Sequence, residues 1–272
     1  MKLILVTNDD GIESPGLWAA VSELLPLGKV VVAAPREQQT SMGRSFPVSS
    51  DGHITPYARE MMGQSVEAYA IGGTPAQSVL HAILEILPEP PALVVSGINY
   101  GENVGTGVTI SGTVGAAIEA GTLGIPALAV SLQMVSVNWF DYEDMDFTGA
   151  AFFTAMFAKR VLDHGLPADA DLLKIDVPLN ATRQTEWRIT RQSRARYYSP
   201  YMVREGGWDA PGLISARIEV NRHEVELDSD VQAILYDQVV SVTPLPVDLT
   251  ARVDFASLAR RLNGEDIQRA EC

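Results

Sequence analysis

Short apolar runs, each broken by a polar or glycine-rich turn and followed by a helical pattern, recur along the first half of the chain. Residues 3–6, 30–34, 66–71, 92–95 and 127–132 are dominated by Val, Ile, Leu and Ala. Apolar runs of this length, flanked by polar residues, predict strands buried on both faces, as in a parallel sheet. Residues 15–25, 76–87 and 111–123 carry helical patterns between them. Ser14 stands at the N-cap of the first, with Pro15 at its first position. Strands alternating with helices predict an α/β fold with a doubly wound, mostly parallel sheet.

After residue 135 the pattern loosens. Residues 147–162 read as a helix and 172–177 as a strand. Residues 187–191, 197–203 and 214–220 read as extended pieces carrying aromatic and arginine side chains. A short helix over 230–235, a strand over 239–243 and a helix-like tail around 258–262 follow. Three regions are expected: a core over 1–135 carrying the functional loops, a region over 136–246 that completes the core and adds a smaller strand-rich part for oligomerisation, and a tail over 247–272. The tail lacks an obvious packing partner of its own, which predicts docking on a neighbouring subunit.

Composition narrows the function classes. The 272 residues include 20 basic and 34 acidic side chains, a net charge of −14. Such a surface repels nucleic-acid polymers and anionic membranes. It still admits a small phosphate substrate if the site holds a cation, because a bound cation inverts the local field. Cys272 is the single cysteine, so an intrachain disulfide is impossible and a reducing cytoplasm is expected. The start lacks a secretory pattern, and no run approaches the roughly 20 apolar residues of a membrane span.

The chemistry concentrates where the first run ends, in Asn8-Asp9-Asp10-Gly11. These residues follow the C-terminal end of a predicted parallel strand, where open α/β sheets place their ligands. Adjacent carboxylates repel, and a hard divalent cation with oxygen ligands offsets that repulsion. Asp9 and Asp10 are therefore expected metal ligands, although acids before a helix also serve as caps. Further polar loops follow the second run (Gln38 to Ser41), the third (Gly73-Thr74-Pro75) and the fourth (Asn99 and Asn103). With the first strand between the second and fourth, all four loops rim one crevice.

Asn99 reads equally as an oxygen ligand or a turn residue, and its place beside the acid pair favours the ligand. Gly101 to Thr113 is glycine- and hydroxyl-rich and opens a helix, which suits phosphate. It lacks the Gly-Lys-Ser/Thr of nucleotide triphosphatases. The four histidines are scattered, and no Gly-x-Ser-x-Gly nucleophile elbow occurs. Arg191, Arg194, Arg196 and Tyr197 form a basic cluster that reads as a solvated strand face, with approach to a substrate or partner as the alternative.

These pieces, in this order, resemble the SurE family of metal-dependent nucleotidases. The matching segments are Asn8-Asp9-Asp10-Gly11 with Pro15-Gly16, Ala34-Pro35, Gly73-Thr74-Pro75, Ser96-Gly97-Ile98-Asn99, Ser111-Gly112-Thr113 and 126–131. Looser matches follow at 189–191 and 240–245. The resemblance implies a Rossmann-like core and dimers or tetramers with exchanged C-terminal segments. It implies one divalent metal per subunit, Mg²⁺ or Mn²⁺, held by Asp9, Asp10, a hydroxyl residue after the second strand, and Asn99. The family usually has serine at that hydroxyl position. Ungapped counting places Thr40 there, with Ser41 beside it. Gln77 and Ser78 stand where the family often has an acid and a cysteine.

The expected activity is hydrolysis of nucleoside 5′-monophosphates, with 3′-monophosphates and short polyphosphate as further candidates. Asp9 and Asn99 carry the catalytic expectation, while Asn8, Asn103, Ser111, Gly112 and Thr113 are expected to cradle the phosphate. Attack by water and attack by Asp9 itself both remain open. The competing classes are a receiver-like signalling domain and a non-hydrolytic nucleotide-binding protein. The first is disfavoured because the expected aspartate and lysine are missing after the third and fifth strands.

Overall fold

The computed structural model describes residues 1–134 and 145–265; parts of all three expected regions (135, 136–144 and 266–272, with Cys272) lie outside the described residues. In chain order the elements are β1 (Leu3–Thr7), α1 (Pro15–Leu24), β2 (Lys29–Pro35), β3 (Ile54–Pro56), β4 (Arg59–Met61), β5 (Gln64–Ile71), α2 (Pro75–His81), β6 (Leu93–Tyr100) and α3 (Gly112–Thr122). They continue with β7 (Ala127–Leu132), α4 (Thr148–His164), β8 (Leu172–Val177), β9 (Trp187–Ile189), β10 (Tyr198–Arg204), β11 (Gly212–Ile218), β12 (Val240–Leu245) and α5 (Phe255–Leu262).

The main sheet has the order β3-β5-β2-β1-β6-β7-β8-β12-β9, with β4 on β5. From β5 to β8 every pairing is parallel. The antiparallel pairings lie toward the edges, where β12 meets β8 and β3 and β4 meet β5. β1 lies between β2 and β6, the reversal point expected from the sequence. β10 and β11 form a separate antiparallel ribbon. The smaller strand-rich region is this ribbon, so the α/β fold expectation holds.

Each central strand feeds two cores, because side chains alternate across the sheet. Ile4 and Val6 join Val30, Val32 and Val130 on the face covered by α1 and α4. Leu3 and Leu5 join Val31, Ala127 and Ala129 on the face covered by α2 and α3. Full burial of each Val, Leu or Ile contributes about 1.5–3 kcal/mol. A third, small cluster of Val104, Tyr197, Val225, Val231 and Ile234 lies outside the two sheet cores.

Four local expectations need correction. The strand expected to end at 95 runs on to Tyr100, so Ser96 to Asn99 belong to β6 rather than to a loop. Its register against β7 shifts between Ser96 and Asn99. Gly97, at φ +133, permits the shift, since a Cβ there would stand 2.3 Å from the Val130 carbonyl oxygen. The helix over 76–87 divides into α2 and a wider π turn. β3 and β4, three residues each, lie in a stretch whose polar and proline content gave no strand pattern. Ser14 occupies the N-cap position, but its hydroxyl is buried without a hydrogen bond and caps nothing. Among the described residues no helix is long and apolar enough to cross a membrane.

Candidate active site

Asp9 and Asp10 follow β1 after Asn8 and are almost wholly buried, at 4% and 2% exposure. Asn8 turns the chain away from the strand. Its side-chain amide donates to the Gly11 carbonyl at 2.9 Å and its Oδ1 accepts the Gly11 N–H at 3.2 Å. Asn8 is thereby fully buried and engaged as a turn clamp.

Asp9 is held by the start of α3. The Thr113 hydroxyl donates to Asp9 Oδ1. Gly112 packs directly on the carboxylate, with room for no side chain. Ser111 caps α3 by accepting the Val114 N–H at 3.1 Å. Asp10 Oδ2 accepts the Tyr100 N–H at 3.2 Å. Asn99 donates its amide hydrogens to the carbonyls of Tyr100 at 3.1 Å and Gly101 at 2.6 Å. Both donors are thus spent on the backbone that follows it, which leaves its Oδ1 as an acceptor.

The electrostatics match an incomplete cation shell. Burial pushes the Asp9 carboxyl up to about 6, against the lowering effect of the Thr113 hydrogen bond. Burial and the Asp9 charge push Asp10 well above the carboxylate range. Two desolvated acids that repel each other, beside an amide oxygen and a hydroxyl, form the oxygen-rich donor set that hard divalent cations prefer. Among the described residues no group of three or more His, Cys, Asp or Glu could hold a metal. Neutral oxygens of Thr40 and Asn99 would have to complete the shell.

A cavity of about 460 Å³ opens here, lined by Asp9, Thr40, Ser41, Asn99, Asn103 and Ser111. Asn8, Asp10, Gly112 and Thr113 stand behind this lining rather than in it. Three of the four expected loops therefore converge. Gly73, in the loop after the third predicted strand, lines a separate cavity of about 220 Å³ with Arg36 and Asp51. Thr74 instead closes a capping box on α2, accepting the Gln77 N–H at 3.2 Å while Gln77 Oε1 accepts its N–H at 3.0 Å.

Two features of the site escaped sequence reading. The ribbon supplies a wall of the cavity through Tyr198, Pro200, Ile214 and Ala216; Arg196, just before it, also lines the cavity, as the alternative reading of the basic cluster allowed, whereas Arg191 and Arg194 are exposed outside it. A fully buried ion triad also anchors the site. Lys174 pairs with Asp176 and lies 3.1 Å from Asp230. Asp176 accepts the Asn103 N–H at 2.7 Å, and Asp230 accepts those of Gly105 at 3.1 Å and Ser193 at 2.9 Å. Burial alone would depress the Lys174 ammonium; the charges of Asp176 and Asp230 outweigh it and hold it above its ordinary range. Lys174 and Asp176 stand two residues apart in a strand, on one face. A same-face Lys and Asp inside an apolar strand was the available signal.

An acidic, oxygen-lined pocket at the chain-reversal point of a doubly wound sheet defines an α/β protein built for a small ligand at its strand ends. The model of the family described as Survival protein SurE matches residues 4–199, and the chain belongs to that family. It is 38% identical to a 5'-nucleotidase SurE of Methanosarcina acetivorans over 95% of this chain and 97% of that protein. It is 41% identical to a 5'-nucleotidase SurE of Thermococcus gammatolerans, covering 97% of each. The solved SurE protein from Aquifex aeolicus matches with a TM-score of 0.74 at 31% identity, over 96% of this chain and 99% of that one.

Proposed function

We propose that this chain is a 5′-nucleotidase that hydrolyses nucleoside 5′-monophosphates with one bound divalent cation, Mg²⁺ or Mn²⁺. The observation that carries this reading is the buried pair of Asp9 and Asp10, both pushed toward protonation, opening through Asp9 into the cavity. Asp9, Asp10, Thr40 and Asn99 would hold the cation. When bound, it supplies Lewis acidity toward a phosphoryl oxygen and activates water.

The chain's own residues do the rest. Thr113 and Gly112 fix the Asp9 carboxylate. Ser111 already accepts a hydrogen bond through its oxygen, which leaves its proton to donate to a phosphate. Asn103 is set in place by its N–H on Asp176 and by its side-chain amide on Ser131 at 2.6 Å. The ribbon wall bounds one side of the cavity and offers apolar surface to a nucleoside.

The oligomer belongs to the same reading. α5 presents Phe255 at 66%, Leu258 at 42% and Leu262 at 77% exposure, spaced along one face. That stripe, with exposed Leu249, is suited to cover a second copy of the chain in a homodimer or homotetramer. The net charge of −14 disfavours nucleic-acid polymers and anionic membranes as partners, and a cytoplasmic setting fits a substrate made there.

Phosphate release from a panel of nucleoside 5′- and 3′-monophosphates, with EDTA, Mg²⁺ or Mn²⁺, tests the proposal. Metal-dependent release that collapses in Asp9→Asn is expected. Wild-type protein that releases no phosphate with any metal would sink it.

A further inference from the structure

Among the described residues Arg196 is the one basic side chain lining the cavity. Among the described residues its guanidinium has no ion pair or hydrogen bond, whereas Arg36, Arg44, Arg188 and Arg217 each pair with an acid. The two carboxylates of the lining are Asp9 and Glu102. A phosphomonoester, a dianion near neutral pH, therefore enters a cavity where one unengaged cation faces two acids.

The backbone carrying Arg196 is pinned on both sides. Before it, the Ala195 carbonyl accepts the Thr106 N–H at 3.2 Å, and the Ala195 N–H donates to Ser193 Oγ at 3.0 Å. Ser193 is itself tied to the buried Asp230. After it, Tyr197 is fully buried and its hydroxyl donates to the Glu102 carboxylate. The loop bearing Asn103 hangs from the same triad, through the Asn103 and Gly105 N–H groups. Arg196 thus projects from rigid backbone into the cavity, and its position is locked to that of Asn103. The neighbouring Arg191 and Arg194 are exposed and do not line the cavity.

We propose that Arg196 grips the phosphoryl group of the substrate, acting as an anion-binding residue in the cavity that Asp9 also lines. A guanidinium offers two parallel N–H donors that match two phosphate oxygens. The inference rests on the nucleotidase reading above and deepens it by assigning the group that neutralises the substrate's charge.

The test uses full-length Arg196→Gln, Arg196→Lys and Arg196→Ala with two substrates: adenosine 5′-monophosphate, and p-nitrophenyl phosphate, which has no nucleoside. If Arg196 holds the phosphoryl group, kcat/KM falls about 10- to 100-fold in Arg196→Gln, by a similar factor on both substrates. Arg196→Lys recovers part of the loss, and added guanidinium ion at millimolar concentration partly restores Arg196→Ala. A loss confined to the nucleotide, or no loss on either substrate, overturns the proposal. The exposed side chain makes misfolding a small risk, and thermal unfolding of each variant checks it. Wild type that hydrolyses neither substrate would defeat the nucleotidase reading. Calorimetric binding of inorganic phosphate would then decide: about tenfold weaker binding in Arg196→Gln upholds the assignment, and equal binding overturns it.

Discussion

Gly112 lies flat against Asp9: a Cβ at Gly112 would stand 2.7 Å from Asp9 Cβ and 2.8 Å from its Oδ2. The first residue of α3 thus presses on the carboxylate proposed as metal ligand, and only a hydrogen fits between them. Gly112→Ala must push Asp9 aside. Overpacking costs about 1–3 kcal/mol, and a displaced catalytic group costs about 10²-fold in rate. Steady-state kinetics with thermal unfolding checks this, and unchanged kcat would contradict the contact.

Asp10 is buried beside Asp9, and burial together with the Asp9 charge makes its ionised form costly, a cost the proposed cation would relieve. Asp10→Asn should raise the melting temperature of the metal-free protein, at about 2–4 °C per kcal/mol relieved, while abolishing the rise produced by Mn²⁺. The replacement amide keeps an oxygen for the Tyr100 N–H. Scanning calorimetry in EDTA and in Mn²⁺ separates the two effects. A variant less stable than wild type in EDTA counts against the repulsion.

Thr40 and Ser41 both line the cavity, but Ser41 sits at φ +62, a left-handed conformation. Ser41→Gly should leave metal binding intact and change stability by no more than about 1 kcal/mol, since glycine adopts that conformation freely. Thr40→Ala should weaken Mn²⁺ binding by at least the about 10-fold that even outer-shell partners contribute. Titration calorimetry of both variants decides which hydroxyl is the ligand.

Lys174 compensates two buried aspartates. Lys174→Met leaves Asp176 and Asp230 uncompensated in the interior and should cost about 3–5 kcal/mol, read as a lower urea midpoint. A loss below about 1 kcal/mol would mean that water reaches the triad.

Ile214 is 74% exposed yet lines the cavity, so its replacement spares the fold. Ile214→Asp should raise KM for adenosine 5′-monophosphate about 10-fold, equal to about 1.4 kcal/mol. KM for p-nitrophenyl phosphate, which does not reach the ribbon, should stay within twofold. Parallel increases on both substrates would place Ile214 away from the nucleoside.

Much of the core was legible because a strand buried on both faces has few alternatives. The runs at 3–6, 30–34 and 127–132 became β1, β2 and β7 with shifts of at most one residue at either end. Asp9 and Asp10 were legible because adjacent acids closing such a run have few purely structural uses. The β6 boundary was misplaced because Gly97 and Asn99 look like turn residues, and only the fit of Gly97 against Val130 reveals a strand with a register shift. The Gly73-Thr74-Pro75 loop was assigned to the crevice, whereas its threonine spends its hydrogen bonds capping α2.

Local order and pattern determined the parallel sheet, the position of β1 at its reversal point and the acids at its end, because these follow from which residues prefer burial and where the chain must turn. Tertiary structure alone decided which polar groups meet. Lys174 compensates Asp230, 56 positions away in sequence by their numbering, and Arg196 shares a cavity with Asp9. No local propensity encodes such pairings. They arise when burying apolar surface brings distant segments together, and each charge carried inward must then find a partner or stay unpaired for a ligand.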